Sequence, residues 1–364
     1  MKSVAIYKWH RDLPIEDLDR EQLVLNLAVN EGLKYAIKPE TSRAFFQTQI
    51  NAAKEIQNFW FFEWRKHPEL VPENNTDLVK IIRPRLIDLG DDIINALANS
   101  NTTIRDQIDV NGLSIETIDL LQQNLLIIRK YTNQLDQILG SGILRVGTTG
   151  DYAPFSFKSK DGYRGIDIEM AKDLASSLEV ELVWVETSWP TLMSDFREGK
   201  FDIAMSGISI NLKRQREAFF SNAYQVGGKS PIARCVDIDK YRSLSDIDQS
   251  ATRVIVNPGG TNEKFVIEKI KNAQIVSHQD NRTIFFALIN DHADVMITDA
   301  IEVRVQTNKH SELCATMPGE HLTYSEKGYL IPRDIIWKHY VDSWLNQRIN
   351  DQFMKQVYAH HLEN

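Results

Sequence analysis

"GSGILRVGTTG", residues 140–150, is where the chain changes its grammar. Gly140 and Gly142 flank Ser141 and mark a boundary. Ile143 to Thr149 then read as a short strand rich in β-branched residues that runs into a polar, glycine-containing turn. The rest of the chain repeats this pattern. "ELVWVET" (181–187), "FDIAMSG" (201–207), "TRVIVNPGG" (252–260) and "DVMIT" (294–298) are further strands, each separated from the next by helical segments. Such alternation predicts an α/β fold with a largely parallel sheet. Upstream of residue 139 almost nothing is strand-like. Residues 39–70 open on Pro-Glu and close at Pro68, and 77–98 and 114–139 show the same helical periodicity, so residues 1–138 are expected to form an all-α domain.

Composition narrows the function. The 364 residues are 42% hydrophobic and 25% charged, an ordinary globular mixture long enough for two or three domains. A net charge of -8 leaves no basic footprint for nucleic acid or an anionic membrane. No apolar run reaches the roughly 18 residues that a bilayer span requires. The opening "MKSVAIYKWH" lacks the apolar core and cleavage site of a signal peptide. Cys235 and Cys314 are too few and too far apart for a zinc site, so they read as separate thiols or, in an exported protein, as a pair. No metal or cofactor is expected.

In parallel sheets, ligands sit beyond the carboxyl ends of the strands. Polar residues cluster at four such ends: Thr148-Thr149-Gly150-Asp151, Ser206-Gly207, Asn257 through Asn262, and Thr298-Asp299. Four clusters suggest a shared site. The last is followed by Glu302, which leaves two readings of the acid pair. Asp299 and Glu302 either cap a helix and complement its dipole, or point into a cleft.

"GIDIEMAKDLA" (165–175), "FDIAMSGISINLKRQREAFFS" (201–221) and "NPGGTNEKF" (257–265) resemble the type II periplasmic solute-binding proteins of the amino-acid class. The resemblance spans about 139–364. It implies a two-lobed α/β domain, with lobe 1 at about 143–231 plus the C-terminal segment and lobe 2 at about 232–330. It also implies that Ser206, Ser209 and Arg214 hold a ligand carboxylate, Arg214 through two parallel donors. Gly259, Gly260 and Thr261 would offer backbone N–H groups at a helix start. More narrowly, "TTGDYAPFSF", "TSWPTLM", "SGISINLKRQR", "VNPGGTNEKF" and "MITDAIEV" together resemble cyclohexadienyl dehydratases. These convert prephenate, and often arogenate, to phenylpyruvate or phenylalanine. That reaction expels hydroxide, a poor leaving group, and therefore needs a general acid. The resemblance puts the acid at Glu302, with Glu263 as the competing candidate. Lys229, Asn257, Thr261 and Asn262 would contact the other polar groups. Tyr152 and Trp189 would pack on the ring, beside Asp151. Asp299, which receives the amino group in amino-acid binders, would help accept either substrate. A Cys235–Cys314 disulfide, and hence a periplasmic location after loss of a leader, follow from the same resemblance.

In the first half, "VAIYKWHRDLPIED" (4–17), "LDRE" (18–21) and "FFQTQINAAKEIQNFWFFEW" (45–64) resemble the exported all-helical chorismate mutases, over about residues 1–137. That rearrangement needs no nucleophile, metal or proton transfer, only cations for two carboxylates and donors at the ether oxygen. Matching positions imply Lys8 and Gln57 as the donors, Arg20 and Arg85 for the carboxylates, and Asp17 to orient Arg20. Ala53 stands where the family has a hydroxyl, and the family's first-helix arginine would fall upstream of Met1. The whole reads as a bifunctional enzyme taking chorismate and prephenate or arogenate, dimeric through its helical domain. The rivals are a non-catalytic amino-acid-binding protein with a helical oligomerisation module and an active dehydratase with a vestigial mutase half.

Overall fold

The structure, a computed structural model, describes residues 1–73, 76–99 and 110–363. Contacts divide it into two compact units, Met1–Thr132 and Asn133–Asn364.

The regular elements of the first unit, among its described residues, are helices: α1 (Lys2–Trp9), α2 (Leu18–Lys34), α3 (Pro39–Lys66), α4 (Arg83–Asn99) and α5 (Ile115–Leu126). Pro39 opens α3 at a position where its missing N–H is not needed, and Arg65 and Lys66 close it on the dipole's negative end. A π-helical turn, Leu78–Ile82, leads into α4. Two apolar clusters hold the unit, one around Phe45, Phe46 and Ile94 and one around Trp64.

The segment 114–139 is not the single helix its periodicity suggests. It breaks after Leu126, where the backbone turns extended and Tyr131 N and Lys38 N exchange hydrogen bonds with Ala36 O and Arg129 O. A new helix, α6 (Gln134–Ser141), then starts on the Asn133 cap. Gly142, at φ +70°, ends α6 in a left-handed turn, so the glycine pair terminates a helix. Gln134 bonds Asp334 and Asp202, which ties α6 to the second unit. The division therefore falls at 132/133, six residues ahead of the expected boundary at 138/139.

The second unit is built on two five-stranded sheets. The first has the order β2 (Glu181–Glu186), β1 (Ile143–Thr148), β3 (Ile203–Ala204), β10 (Leu330–Ile331), β4 (Phe219–Phe220). The second has the order β7 (Gln274–Ser277), β6 (Arg253–Val256), β8 (Val295–Asp299), β5 (Lys229–Arg234), β9 (Leu313–Ala315). β1 runs parallel to β2 and β3, and β6 parallel to β7 and β8. The returning strands are antiparallel: β10 against β3 and β4, and β5 against β8 and β9. Central strands such as β8 are buried on both faces, which accounts for their unbroken apolar runs. The two crossings between lobes pair as a short antiparallel ribbon, Gln225–Gly227 with Ser325–Lys327. Helices α7 (Ile166–Ser177), α10 (Ile335–Asn350) and α11 (Phe353–Glu363) cover the first sheet; α8 (Thr261–Lys269) and α9 (Ala300–Lys309) cover the second. No described helix is long and apolar enough to cross a membrane.

Cys235 and Cys314 form a disulfide that closes a loop with a sequence separation of 79. Constraining so long a loop in the unfolded chain stabilises by about 4 kcal/mol. The Cys235→Ser/Cys314→Ser double variant should accordingly lose about 2–4 kcal/mol in urea unfolding, while reductant leaves its midpoint unchanged.

Candidate functional sites

Between the two lobes the ends of β1, β3, β6 and β8 converge on a pocket of about 390 Å³, mouth included. Its walls include Tyr152, Trp189, Ser209, Arg214, Asn257, Thr261, Asn262 and Asp299, together with Asn281 and Lys327. The lobes meet around it. Gly259, at φ +85°, lies so close to Pro190 that a Cβ would come within 2.6 Å of its nitrogen, so only glycine fits. Asn281 Nδ2 donates to Asp151 O at 3.0 Å, also across the cleft.

Arg214 is drawn into the pocket at the end of a short helix capped by Asn211. Nη1 donates to Ser209 O at 2.9 Å, and no carboxylate among the described residues pairs with the guanidinium. Burial alone lowers it to about 10. A buried cation without a counter-ion is costly unless a ligand supplies one.

The two acids that follow β8, Asp299 and Glu302, have different surroundings. Asp299 occupies the N-cap position of α9 but makes no side-chain capping bond. Instead its Oδ1 accepts from Lys229 Nζ and its Oδ2 from Lys327 Nζ, both at 2.7 Å, and Tyr152 Oη donates to Oδ2 as well. Burial works to raise this carboxyl, but Lys327 and Lys229 hold it well below the usual carboxylate range. Both Asp299 oxygens are thus engaged by protein donors, and two lysine cations already stand where a ligand ammonium would bind.

Glu302 differs in every respect. It is 2% exposed, and burial lifts it to about 8, with the charge of Asp299 adding to the lift. Thr298 Oγ1 donates to Oε2 and opposes the shift, as do the more distant Lys327 and Lys229. Glu302 is not itself in the pocket wall: Thr298 also accepts from Asn262 Nδ2 at 2.9 Å, and Asn262 faces the pocket. The rival acid, Glu263, accepts the Gly259 N–H at 2.8 Å and serves as a turn clasp.

Three expected ligand contacts stand behind the wall. Lys229 is buried and donates to Asp299 Oδ1 at 2.7 Å and to Thr261 Oγ1 at 2.9 Å. Ser206 Oγ accepts from Thr149 N at 3.2 Å and shares a 2.7 Å hydrogen bond with Thr149 Oγ1, beneath the pocket. Asp151 Oδ1 accepts from Trp189 Nε1 at 3.1 Å, which fixes the indole edge-on to Tyr152. Lys327 and Asn281 were not singled out from the sequence. "SEKGYL" (325–330) carries no motif; its only cue is a lysine set beside Gly328, and it falls in the ribbon strand Ser325–Lys327 that crosses between the lobes.

The helical unit has its own pocket, largely apolar, in which Lys8, Arg20, Lys54, Arg83 and Gln57 stand with Asp17, Glu21 and Asp91 among mainly aliphatic residues. Lys8 is buried and donates to Ile15 O at 2.6 Å. Gln57 Nε2 donates one hydrogen to Ala53 O at 2.9 Å, while Oε1 is buried without a partner. Arg85 is exposed and outside this pocket; Arg83, two residues earlier on α4, takes the inward position. Asp17 does not orient the Arg20 guanidinium either. It caps α2 through the Arg20 backbone N–H, and its Oδ2 accepts from Arg83 Nη2 at 3.3 Å. Burial and the nearby Arg83 charge lower Arg20.

Residues 144–364 match the family described as bacterial extracellular solute-binding proteins, family 3. Over 232 residues, 64% of this chain and 87% of the relative, the sequence is 51% identical to a cyclohexadienyl dehydratase of Pseudomonas aeruginosa. It is 29% identical to a probable histidine-binding protein of Campylobacter jejuni over 156 residues, 43% of this chain and 59% of that one. Among solved structures, the ancestral amino acid-binding protein AncCDT-1, a precursor of cyclohexadienyl dehydratase, aligns at a TM-score of 0.58 and 32% identity, covering 63% of this chain and 99% of that chain.

Proposed function

The chain belongs to the bacterial extracellular solute-binding proteins of family 3, and from that premise we propose that its second unit is a dehydratase acting on prephenate or arogenate. The observation that carries this is Glu302, a carboxyl buried beside the pocket and held neutral at pH 7. A binding protein gains nothing from such a group; an enzyme that expels hydroxide requires one. Asp299 supports the same reading, because its two lysines occupy the oxygens that an amino-acid binder would offer to an ammonium group.

In the proposed reaction Arg214 holds the side-chain carboxylate of prephenate, with Ser209, Thr261 and Asn257 completing its polar contacts. Tyr152 and Trp189 flank the ring. The C–C bond to the ring carboxylate breaks, CO₂ leaves, and its electron pair completes the aromatic ring as the C–O bond breaks. Glu302 gives its proton to the departing oxygen, so the products are phenylpyruvate, CO₂ and water, and solvent reprotonates Glu302. Because the acid must be protonated, turnover should be level from pH 6 to 7 and fall about tenfold per unit above pH 8. A rate that rises through pH 8–9 would remove Glu302 from this role.

For the first unit we propose a second activity, the rearrangement of chorismate to prephenate. Lys8, Arg20, Arg83 and the second Gln57 hydrogen provide cations and a donor in an apolar pocket, as a dianionic substrate with a developing ether charge demands. An amide donor does not titrate, so chorismate turnover should hold between pH 5 and 8; a collapse over that range would count against Gln57. We place the enzyme in the periplasm, supported by the family and by the disulfide.

A paired assay on the purified chain tests both halves. Turnover of prephenate and chorismate establishes both; prephenate alone leaves the first unit without a catalytic role. Failure of both, with stabilisation by amino acids in a thermal-shift screen, would return the chain to the binding proteins.

A further inference from the structure

We propose that Glu169 of α7 and His360 and His361 of α11 form a binding site for a divalent transition-metal ion of the zinc type. One donor atom from each of the three lies within 4.8 Å of the others. His361 Nε2 already stands 2.6 Å from Glu169 Oε1, and the two imidazoles lie nearly perpendicular with centroids 4.9 Å apart.

Zinc binds imidazole nitrogen and carboxylate oxygen at about 2.0–2.2 Å, so neighbouring ligands of a tetrahedral ion stand about 3.3 Å apart. An ion can therefore replace the proton shared by His361 and Glu169 if that pair opens by well under 1 Å. His360 then needs only a side-chain rotation to join it. Two imidazoles and one carboxylate suit Zn²⁺, Ni²⁺ or Cu²⁺, whereas Mg²⁺ and Ca²⁺ prefer oxygen alone. Glu169 and His361 are half-buried and His360 is exposed, which leaves the fourth position open to water. None of the three touches the dehydratase pocket. They join the last helix of the chain to α7, whose Asp167 accepts the Gly207 N–H at 2.6 Å on the loop leading to Ser209 and Arg214.

The simpler alternative is a Glu169–His361 ion pair. The two differ at His360, which an ion pair does not use and a metal site needs. After EDTA treatment and desalting, ZnCl₂ should titrate calorimetrically into the full chain with one saturable site, and MgCl₂ should give no binding heat. His360→Ala, a substitution at an exposed position, should weaken zinc binding at least tenfold, and Glu169→Gln likewise, with unchanged circular dichroism verifying that both variants are folded. Prephenate turnover should be unaltered in His360→Ala. Absence of a saturable site, or equal zinc affinity in wild type and folded His360→Ala, would overturn the proposal.

Discussion

Glu302→Gln should lower prephenate turnover about 10²–10⁴-fold, the usual contribution of a positioned general acid, while phenylpyruvate binding changes by less than threefold. Glutamine preserves the shape and can still accept from Thr298, so the substitution removes the proton and little else. The same group makes a second, independent prediction through stability. Its folded carboxyl sits near 8 against an ordinary 4.5, so between those values the folded chain holds a proton that the unfolded chain has released. Stability then falls as pH rises through that window and recovers as pH drops toward 4.5. Glu302→Gln escapes this loss. It should melt above the wild type at pH 7–8, with the gap closing near pH 4.5. Retained turnover in the variant would move the acid to another residue. Lost turnover together with lost phenylpyruvate binding would mean that the pocket itself had collapsed.

Because Thr298 lies between Glu302 and the pocket wall, Thr298→Val discriminates two routes for the proton. If the Glu302 side chain rotates to the substrate, the variant loses the bonds to the carboxylate and from Asn262 but keeps the acid, and the alkaline limb moves to higher pH. If the threonine hydroxyl relays the proton, turnover falls as far as in Glu302→Gln.

What could be read without the structure follows from which interactions are local. Strand and helix alternation after Gly142 is written in short-range periodicity, and so is the long α3, bounded by its two prolines. The break at Leu126 was hidden because Ile127 and Ile128 continue an apolar pattern, while its cause lies far away in the bonds that Lys38 and Ala36 make with 129–131. The site shows the same division. Arg214 and Glu302 stand in segments with recognisable spacing. Lys327, which with Lys229 fixes the state of Asp299, arrives from the ribbon that crosses between the lobes, and no spacing rule links position 327 to 299. Arg83 and Arg85 illustrate a finer limit. Two helix positions are about 200° apart around the axis, so a matched pattern that errs by two residues turns an inward cation outward.

Arg214→Met should raise KM for prephenate at least a hundredfold while leaving the unliganded protein as stable as the wild type, or more so. Hydrogen bonds to charged groups are worth about 1.5–3 kcal/mol each, and a guanidinium offers a carboxylate two of them. Losing both amounts to about 3 kcal/mol or more, which is two orders of magnitude or more in affinity. The stability half follows from the missing counter-ion. In the unliganded protein Arg214 is 9% exposed and its guanidinium is bonded to a single carbonyl, so burial disfavours its charge. An unbranched apolar side chain of similar length removes that penalty. Arg214→Lys separates charge from geometry: it keeps the cation but not the paired donors, and should fall between the wild type and the methionine variant. An unchanged KM in Arg214→Met would leave the carboxylate without its proposed partner. A large drop in melting temperature with unchanged KM would recast Arg214 as a structural residue bonded to Ser209, and the pocket would then have to take its anion through the N–H groups at the start of α8.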